Sequence, residues 1–238
     1  MPMFFRSTLL FLATAIPALF AAEPRPVLNV TGGTIRGELL DPRGAVFKGI
    51  PYARPPVGAL RWREPAPVES WSGVREATAY GLPCAQNSYP GLSDSTTSED
   101  CLYLNVWTPV WPAGRDRRPV MVWIPGGGNY GGSNDQRNPG DQLIRHDVIV
   151  VSLHYRVGYF GFFSHPALTR ESLHHASGNQ GILDQIAALH WIHENIAKFG
   201  GDPENVTIAG ESAGSFDASV LMTSPLARGL FRRVIGQS

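Results

Sequence analysis

The stretch that most restricts how this chain can fold is residues 207–215, "TIAGESAGS". It predicts a buried strand, a tight turn with Ser212 at its tip, and a helix that begins with small residues. Gly210 and Gly214 flank the serine in a G-x-S-x-G pattern, and a serine on a strained turn needs such neighbours without side chains. An ordinary strand-to-helix turn is the alternative. The context favours a nucleophile elbow with Ser212 as the nucleophile.

The pattern of apolar residues predicts an α/β fold. Continuous apolar runs at residues 119–124 and 148–155 are typical of strands that are covered on both faces of a largely parallel sheet. Apolar residues then recur every three or four positions over residues 182–199, which predicts a helix that Gly200 ends. Shorter β-type runs within residues 27–52 predict a small antiparallel sheet at the N-terminal end. Strand–helix alternation after it predicts a mostly parallel central sheet.

A second glycine-rich segment, "IPGGGNYGGS" at residues 124–133, follows a predicted strand. Glycine lets the backbone approach a substrate carbonyl and aim N–H groups at its developing negative charge, so the segment predicts an oxyanion hole. Gly126, Gly128 and Gly131 also match the dinucleotide fingerprint. That fingerprint needs a helix directly afterwards, whereas a polar loop containing Pro139 follows here. The oxyanion loop is therefore favoured, and no nucleotide cofactor is predicted.

Charge and histidine spacing argue against two other classes of function. Lysine plus arginine and aspartate plus glutamate number 20 each, so the formal net charge of zero gives no support for a nucleic-acid partner. His190 and His193 share the long predicted helix, but their spacing fits neither H-E-x-x-H nor H-x-x-E-H. We interpret them as part of a solvated helix face and predict no metal site.

The N-terminal residues indicate a secretory signal peptide. An arginine precedes an apolar run at residues 9–20, and Ala21 and Ala22 supply the small residues of a cleavage site. The run is too short to span a bilayer comfortably. A buried N-terminal helix is the alternative for this run. We therefore predict a signal peptide at residues 1–22, the N-terminal part of one domain at residues 23–238, secretion, and no membrane anchor.

Secretion gives meaning to the cysteines and to two sequons. Cys84 and Cys101 are the only cysteines, and an even pair in an oxidising route predicts a disulfide. Asn29 and Asn205 each begin an N-x-T glycosylation sequon. The Asn205 sequon lies at the start of a predicted core strand, which makes access there doubtful.

Several long blocks in order resemble the type-B carboxylesterase family, whose members include carboxylesterases and cholinesterases. These blocks are "FKGIPYARPPVGALRW", "SEDCLYLNVWTP", "PVMVWIPGGG", "DQIAALHWIHENIAKFGGDPENVTIAGESAG" and "SPLARGLFRRVIGQS". The resemblance begins near Val27 and continues to the last residue. It implies an α/β-hydrolase fold and ester hydrolysis through a serine acyl-enzyme with a Ser–Glu–His triad. No cofactor is implied.

The resemblance also assigns roles to matching residues. Ser212 matches the nucleophile, its neighbour Glu211 matches a carboxylate behind the site, and Ser238 matches a serine that supports the triad. The matching oxyanion-hole donors are Gly127, Gly128 and Ala213, and the matching disulfide joins Cys84 to Cys101 beside the gorge.

Two departures from the family pattern bear on the substrate. Pro125 stands where most members have His or Tyr before the three glycines; it fixes φ and removes one N–H, which could shift the oxyanion loop slightly. The loop from Cys84 to Cys101 is short and polar and has no tryptophan, so a choline substrate held by cation–π attraction is disfavoured. Small soluble esters suit this loop better than lipid droplets.

The triad base is missing from the expected place. In this fold the order is serine, acid, histidine, yet all seven histidines precede Ser212 and only Asp217 follows it among acidic residues. We expect Asp217 to point away from the triad acid's position. We interpret the chain as the N-terminal half of an esterase, C-terminally truncated and nearly inactive alone. The alternative is a secreted non-catalytic relative that serves as a binding or adhesion module.

Overall fold

The structure is a computed structural model that describes residues 25–87, 97–134 and 140–238. The predicted signal peptide lies outside the described residues, as does the middle of the loop between Cys84 and Cys101. Within the described ranges, no helix has the length and apolar character needed to cross a membrane.

The described residues form two sheets with helices packed around them. The strands are β1 (Val27–Val30), β2 (Gly33–Arg36), β3 (Glu38–Leu40), β4 (Gly44–Pro51), β5 (Val74–Glu76), β6 (Tyr103–Thr108), β7 (Arg118–Ile124), β8 (Ile149–Leu153), β9 (Gly201–Glu211) and β10 (Arg233–Gln237). The α-helices are α1 (Gly140–Leu143), α2 (Gly158–Phe162), α3 (Pro166–Glu171), α4 (Gln180–Asn195) and α5 (Ala213–Thr223).

The larger sheet has seven strands in the order β10-β9-β7-β8-β6-β4-β3. Its half around the predicted elbow is parallel: β10 pairs with β9, β9 with β7, and β7 with β8. Val122 of β7 lies between Val151 of β8 and Ile208 of β9, and all three side chains are fully buried. The continuous apolar runs therefore form the parallel, doubly covered strands that the sequence predicts.

The other half of the larger sheet is antiparallel. Strand β6 pairs antiparallel with both β8 and β4, and β4 pairs antiparallel with β3. The chain passes from β3 to β4 through a short turn at residues 41–43, and only antiparallel neighbours can be joined so directly. The central sheet is thus mixed, with the parallel pairs gathered next to the elbow.

The small N-terminal sheet has the strand order β1-β2-β5. Strands β1 and β2 pair antiparallel, as predicted, whereas β5 adds to β2 in the parallel direction. The apolar run that becomes β4 does not join this small sheet. It is buried within the larger sheet, where Phe47 and Ile50 are fully inaccessible.

Helix α4 confirms the predicted amphipathic helix. Its apolar stripe is buried, and the residues of this stripe are Ile182, Ile186, Leu189, Ile192, Ile196 and Phe199. The last turn tightens into a 3₁₀ segment, Ile196–Phe199, and ends at Gly200 in the left-handed conformation with φ of 90°. Helix α4 packs against both β9 and α5.

A buried ion pair joins α4 to the segment after β8. The Arg156 guanidinium donates from Nε and Nη2 to the Asp184 carboxylate at 2.8 and 2.7 Å, and the Arg156 backbone N–H donates to the same carboxylate at 3.0 Å. Both side chains are nearly inaccessible to solvent. A bidentate pair with a third hydrogen bond offsets the desolvation of two buried charges.

Candidate active site

Ser212 stands at the junction between the end of β9 and the start of α5. Its backbone has φ of 55° and ψ of −121°, which is rare for a residue with a side chain. The Ser212 N–H donates to the Gln237 carbonyl of β10 at 2.8 Å, so the neighbouring strand holds the strained turn. The structure therefore has the strand–turn–helix geometry that the sequence predicts for a nucleophile elbow.

The glycines around Ser212 are required by close backbone contacts. A Cβ on Gly210 would lie 2.2 Å from the carbonyl carbon of Gly214, and a Cβ on Gly214 would lie 2.1 Å from the Ile124 carbonyl oxygen. No side-chain rearrangement relieves these clashes, because the obstructing atoms belong to the backbone. The G-x-S-x-G pattern is thus a packing requirement of the turn.

The glycine-rich loop after β7 lies directly against the elbow. A Cβ on Gly126 would lie 3.0 Å from the Ser212 Cβ and 2.5 Å from the Glu211 carbonyl oxygen. Gly127 and Gly128 follow with φ of 123° and 64°, conformations that side chains disfavour. The structure thus brings together the two glycine segments that the sequence identified.

Three backbone N–H groups at this junction are available to a ligand. Within the described part of the chain, the N–H groups of Gly127, Gly128 and Ala213 have no hydrogen-bond acceptor. Ala213 is the first residue of α5, so its N–H also lies at the positive end of the helix dipole. Free donors on a tight turn, next to a serine, are what stabilisation of an oxyanion requires.

Glu211 and Ser238 both lie beside the elbow. Glu211 is half-buried, and its Oε2 would lie 2.9 Å from a Cβ on Gly126. Ser238 directly follows Gln237, whose carbonyl accepts the Ser212 N–H. Neither side chain hydrogen bonds to the Ser212 hydroxyl among the described contacts.

The Ser212 hydroxyl has no hydrogen-bonded base in the described ranges. All seven histidines fall within these ranges, and no hydrogen bond is described between any of them and Ser212. The buried His154, for example, places its Nε2 2.9 Å from the Ser133 hydroxyl. The described residues also contain no cluster of three His, Cys, Asp or Glu side chains suited to a metal ion.

Comparison with known proteins establishes the family. The model of the carboxylesterase family matches residues 24–238, nearly the whole chain. The chain belongs to the carboxylesterase family. Fumonisin B1 esterase of Sphingopyxis macrogoltabida is 45% identical over 230 residues, covering 95% of this chain and 42% of that protein. Carboxylesterase 1D of Rattus norvegicus is 45% identical over 247 residues, covering 96% of this chain and 42% of that protein.

Solved structures agree with the sequence relatives. A carboxylesterase from Geobacillus stearothermophilus matches with a TM-score of 0.80 and 46% identity, over 90% of this chain and 43% of that one. A thermophilic PNB esterase matches with a TM-score of 0.81 and 41% identity, over 89% of this chain and 44% of that one. The fold is therefore the α/β-hydrolase fold of these esterases. The chain spans less than half the length of the relatives that it matches.

The predicted disulfide is present in this chain and is connected to the glycine-rich loop after β7. Cys84 and Cys101 are bonded and buried. Two residues after Cys84, the Gln86 carboxamide pairs with the Gly132 backbone: Nε2 donates to the Gly132 carbonyl at 2.9 Å, and the Gly132 N–H donates to Oε1 at 2.7 Å. Gln86 thus ties the disulfide loop to the far end of the glycine segment.

A buried polar network behind the glycines was missed by sequence reasoning. Among the described contacts, Asp217 has no hydrogen bond to the Ser212 hydroxyl, and its carboxylate is bound within the protein. It accepts hydrogen bonds from Asn129 Nδ2 at 2.8 Å and from Gln185 Nε2 at 2.6 Å. Burial raises the pKa of Asp217, and the hydrogen bonds from Asn129, Gln185 and Tyr155 oppose this rise.

Proposed function

We propose that this chain carries the nucleophile and the oxyanion hole of a serine carboxylic ester hydrolase. The observation that supports this proposal most directly is the contact between the strained Ser212 turn and the Gly126–Gly128 loop, with free N–H groups on both. An exposed serine beside converging backbone donors is suited to acyl transfer.

In the proposed reaction, the Ser212 Oγ attacks the ester carbonyl carbon while a general base removes the hydroxyl proton. The carbonyl oxygen becomes an oxyanion that accepts hydrogen bonds from the N–H groups of Gly127, Gly128 and Ala213. When the tetrahedral intermediate collapses, the alcohol leaves with a proton and Ser212 is acylated. Water then attacks the acyl group and releases the carboxylic acid, which regenerates the serine.

We further propose that the base is a histidine other than the seven in this sequence, supported by a glutamate that also lies outside residues 1–238. Two observations support this. Among the described contacts, none of the seven histidines hydrogen bonds to Ser212, and this chain covers only 42% of the two relatives compared in sequence. Acyl transfer by a serine requires a partner that takes its proton, and the described residues place none there.

We propose small soluble esters as substrates. The name of one relative, fumonisin B1 esterase, indicates an ester substrate for that protein, and Tyr130 provides an exposed aromatic ring packed against Gly128. Such a ring offers apolar surface to an ester group beside the oxyanion donors.

Secretion, signal cleavage within residues 1–22 and glycosylation also remain proposals. Asn29 is exposed on β1, whereas its sequon residue Thr31 hydrogen bonds to Asn195 and Glu194 at 3.3 Å each. Asn205 is half-buried in β9 and accepts a hydrogen bond from Arg233 at 2.6 Å. Asn29 is therefore the better candidate for glycosylation.

The experiment that tests the enzymatic proposal is active-site labelling. The complete protein that carries this chain is treated with a fluorophosphonate probe, and the adduct is located by mass spectrometry. We expect the probe on Ser212, loss of labelling in Ser212→Ala, and full labelling in the control Ser219→Ala, which alters an exposed serine on the same helix. Labelling that survives Ser212→Ala contradicts the proposal, and a wild-type protein that takes up no probe favours the non-catalytic binding module.

A further inference from the structure

We propose that Asp217 is a positioning residue for the oxyanion hole: acting through Asn129, it fixes the backbone of the Gly126–Gly128 loop against Ser212. This inference rests on the proposed esterase function and adds a residue to its machinery. Asp217 touches neither the Ser212 hydroxyl nor the free N–H groups, so its effect passes through Asn129.

Asn129 is the first residue with a side chain after the three glycines. It adopts the left-handed conformation, with φ of 60°, which asparagine tolerates better than most residues. Both polar atoms of the Asn129 carboxamide have partners. Asn129 Nδ2 donates to Asp217 Oδ1 at 2.8 Å, and Asn129 Oδ1 lies 2.9 Å from the Tyr155 hydroxyl. Its backbone carbonyl also accepts the Gly158 N–H at 2.7 Å.

The same network holds the other end of the glycine loop. The Tyr155 hydroxyl lies 2.9 Å from the Pro125 carbonyl oxygen and 2.9 Å from Asn129 Oδ1, so it has a hydrogen-bond acceptor at each end of the glycine loop. Three glycines thus lie between two residues, Pro125 and Asn129, that are both bound to one hydroxyl. The glycines themselves have no side chains that could restrict their backbone.

Asp217 anchors this network in the protein interior. Its carboxylate is 2% exposed on α5, and Gln185 on α4, which is fully buried, donates to its second oxygen at 2.6 Å. Moving Asn129 would therefore leave a buried carboxylate oxygen without its donor, which is costly. Helices α4 and α5 both resist a shift of the loop.

The arrangement of donors and acceptors allows a swap experiment. Asn129→Asp places a carboxylate against the Asp217 carboxylate, where both groups only accept, and aspartate tolerates the left-handed backbone. Adding Asp217→Asn restores one donor between positions 129 and 217, keeps an acceptor for Tyr155, and keeps an acceptor for Gln185. The two residues exchange chemical groups while their volumes are nearly unchanged.

The single variant Asp217→Asn serves as the conservative control. Gln185 Oε1 has no partner among the described residues, so a flip of the Gln185 carboxamide presents an acceptor to the amide introduced at position 217. The oxygen of that amide still accepts from Asn129. We therefore expect Asp217→Asn to be tolerated, whereas Asp217→Ala removes the buried carboxylate that accepts the hydrogen bond from Asn129 Nδ2.

The first measurement is steady-state hydrolysis of p-nitrophenyl acetate by the complete protein at pH 8. We expect kcat to fall by about 10²-fold in Asn129→Asp and Asp217→Ala with KM changed less than about threefold, because a displaced oxyanion donor weakens transition-state binding alone. The swap is expected within about tenfold of wild type, as is Asp217→Asn. Unchanged kcat in Asn129→Asp, or a folded swap as inactive as the single variant, overturns the proposal.

The second measurement does not depend on activity. Hydrogen exchange of the Gly131 and Gly158 amides reports the loop, because these amides donate to the Gly127 and Asn129 carbonyls. In the 238-residue chain we expect faster exchange at both amides in Asn129→Asp and recovery in the swap. The Trp71 amide, which donates to the Gly32 carbonyl between β1 and β2, is expected to be unaffected. Equal exchange at Gly131 and Gly158 in all variants overturns the proposal even if the protein hydrolyses no ester.

Discussion

The buried pair Arg156–Asp184 allows a sharp prediction about stability. In Arg156→Met, the methionine occupies most of the arginine volume but removes both guanidinium donors, at 2.8 and 2.7 Å from the carboxylate. Asp184 is fully inaccessible to solvent, and among its described hydrogen bonds only the one from the backbone N–H of residue 156 remains. A buried charge that loses its partner costs about 3–5 kcal/mol of unfolding free energy.

That magnitude is large compared with the whole stability of a domain, which is about 5–15 kcal/mol. For a chain of this length it corresponds to a fall of about 6–20 °C in the midpoint of thermal unfolding. Circular dichroism during urea and thermal unfolding measures both quantities. The control variant Arg63→Met breaks a solvent-exposed pair with Glu171, and we expect this substitution to change the unfolding free energy by less than about 1 kcal/mol.

The double variant Arg156→Met/Asp184→Leu separates the lost pair from the isolated charge. If the cost comes from an unpaired buried carboxylate, removing the carboxylate as well recovers much of the stability, because apolar replacements of a buried pair are often nearly neutral. A single variant that unfolds within about 1 kcal/mol of wild type refutes the reasoning, and so does a double variant less stable than the single one.

Three further outcomes are expected. Secreted, denatured protein is expected to show no titratable thiol until reductant is added, and two reactive thiols without reductant would contradict the disulfide. Replacement of Cys84 and Cys101 by alanine is expected to lower the unfolding free energy by about 3 kcal/mol, since the bond closes a loop with a sequence separation of 17. Burial raises the pKa of Asp217 above its unfolded value, so the stability that this group contributes is complete below about pH 3.9 and is lost as the pH rises through the folded pKa. We therefore expect the unfolding free energy of Asp217→Asn, measured in urea, to rise relative to that of wild type as the pH rises through this window. A difference that does not change with pH argues against a raised pKa. The 238-residue chain alone is expected to hydrolyse p-nitrophenyl acetate barely faster than its Ser212→Ala variant, because a serine without its base keeps only the part of catalysis due to the oxyanion hole. Robust turnover that disappears in the variant would show that the base is present in this chain.

Local signals in the sequence explain why the elbow and its neighbours were predictable. The strand before Ser212, the flanking glycines and the helix after it lie within about a dozen consecutive residues, and each has its own pattern. The glycine loop likewise follows its strand directly. The pairing of β4 with β6 was not predictable from such signals, because strand partners far apart in sequence leave no local periodicity that identifies them.

The polar contacts that hold the glycine loop could not be predicted for the same reason. Asn129 and Asp217 are 88 residues apart, and Gln86 and Gly132 are 46 apart. Asparagine, aspartate and glutamine lie mostly on protein surfaces, so the residue types alone do not predict a buried contact. Only the folded structure shows that these side chains hydrogen bond to each other or to the glycine loop. For Asp217 in particular, the sequence predicted only that its side chain points away from the position of the triad acid.

The backbone of the proposed oxyanion hole thus depends on residues outside its motif. Gly126, Gly127 and Gly128 are needed because side chains would collide with the elbow or strain the turn, but the same lack of side chains leaves them free to move. The structure restrains the loop from both sides, with Tyr155 at Pro125 and Asn129 and with Gln86 at Gly132. Since a small displacement of a donor is enough to weaken binding of a transition state, substitutions at these contacts can reduce turnover while the elbow and the core remain intact.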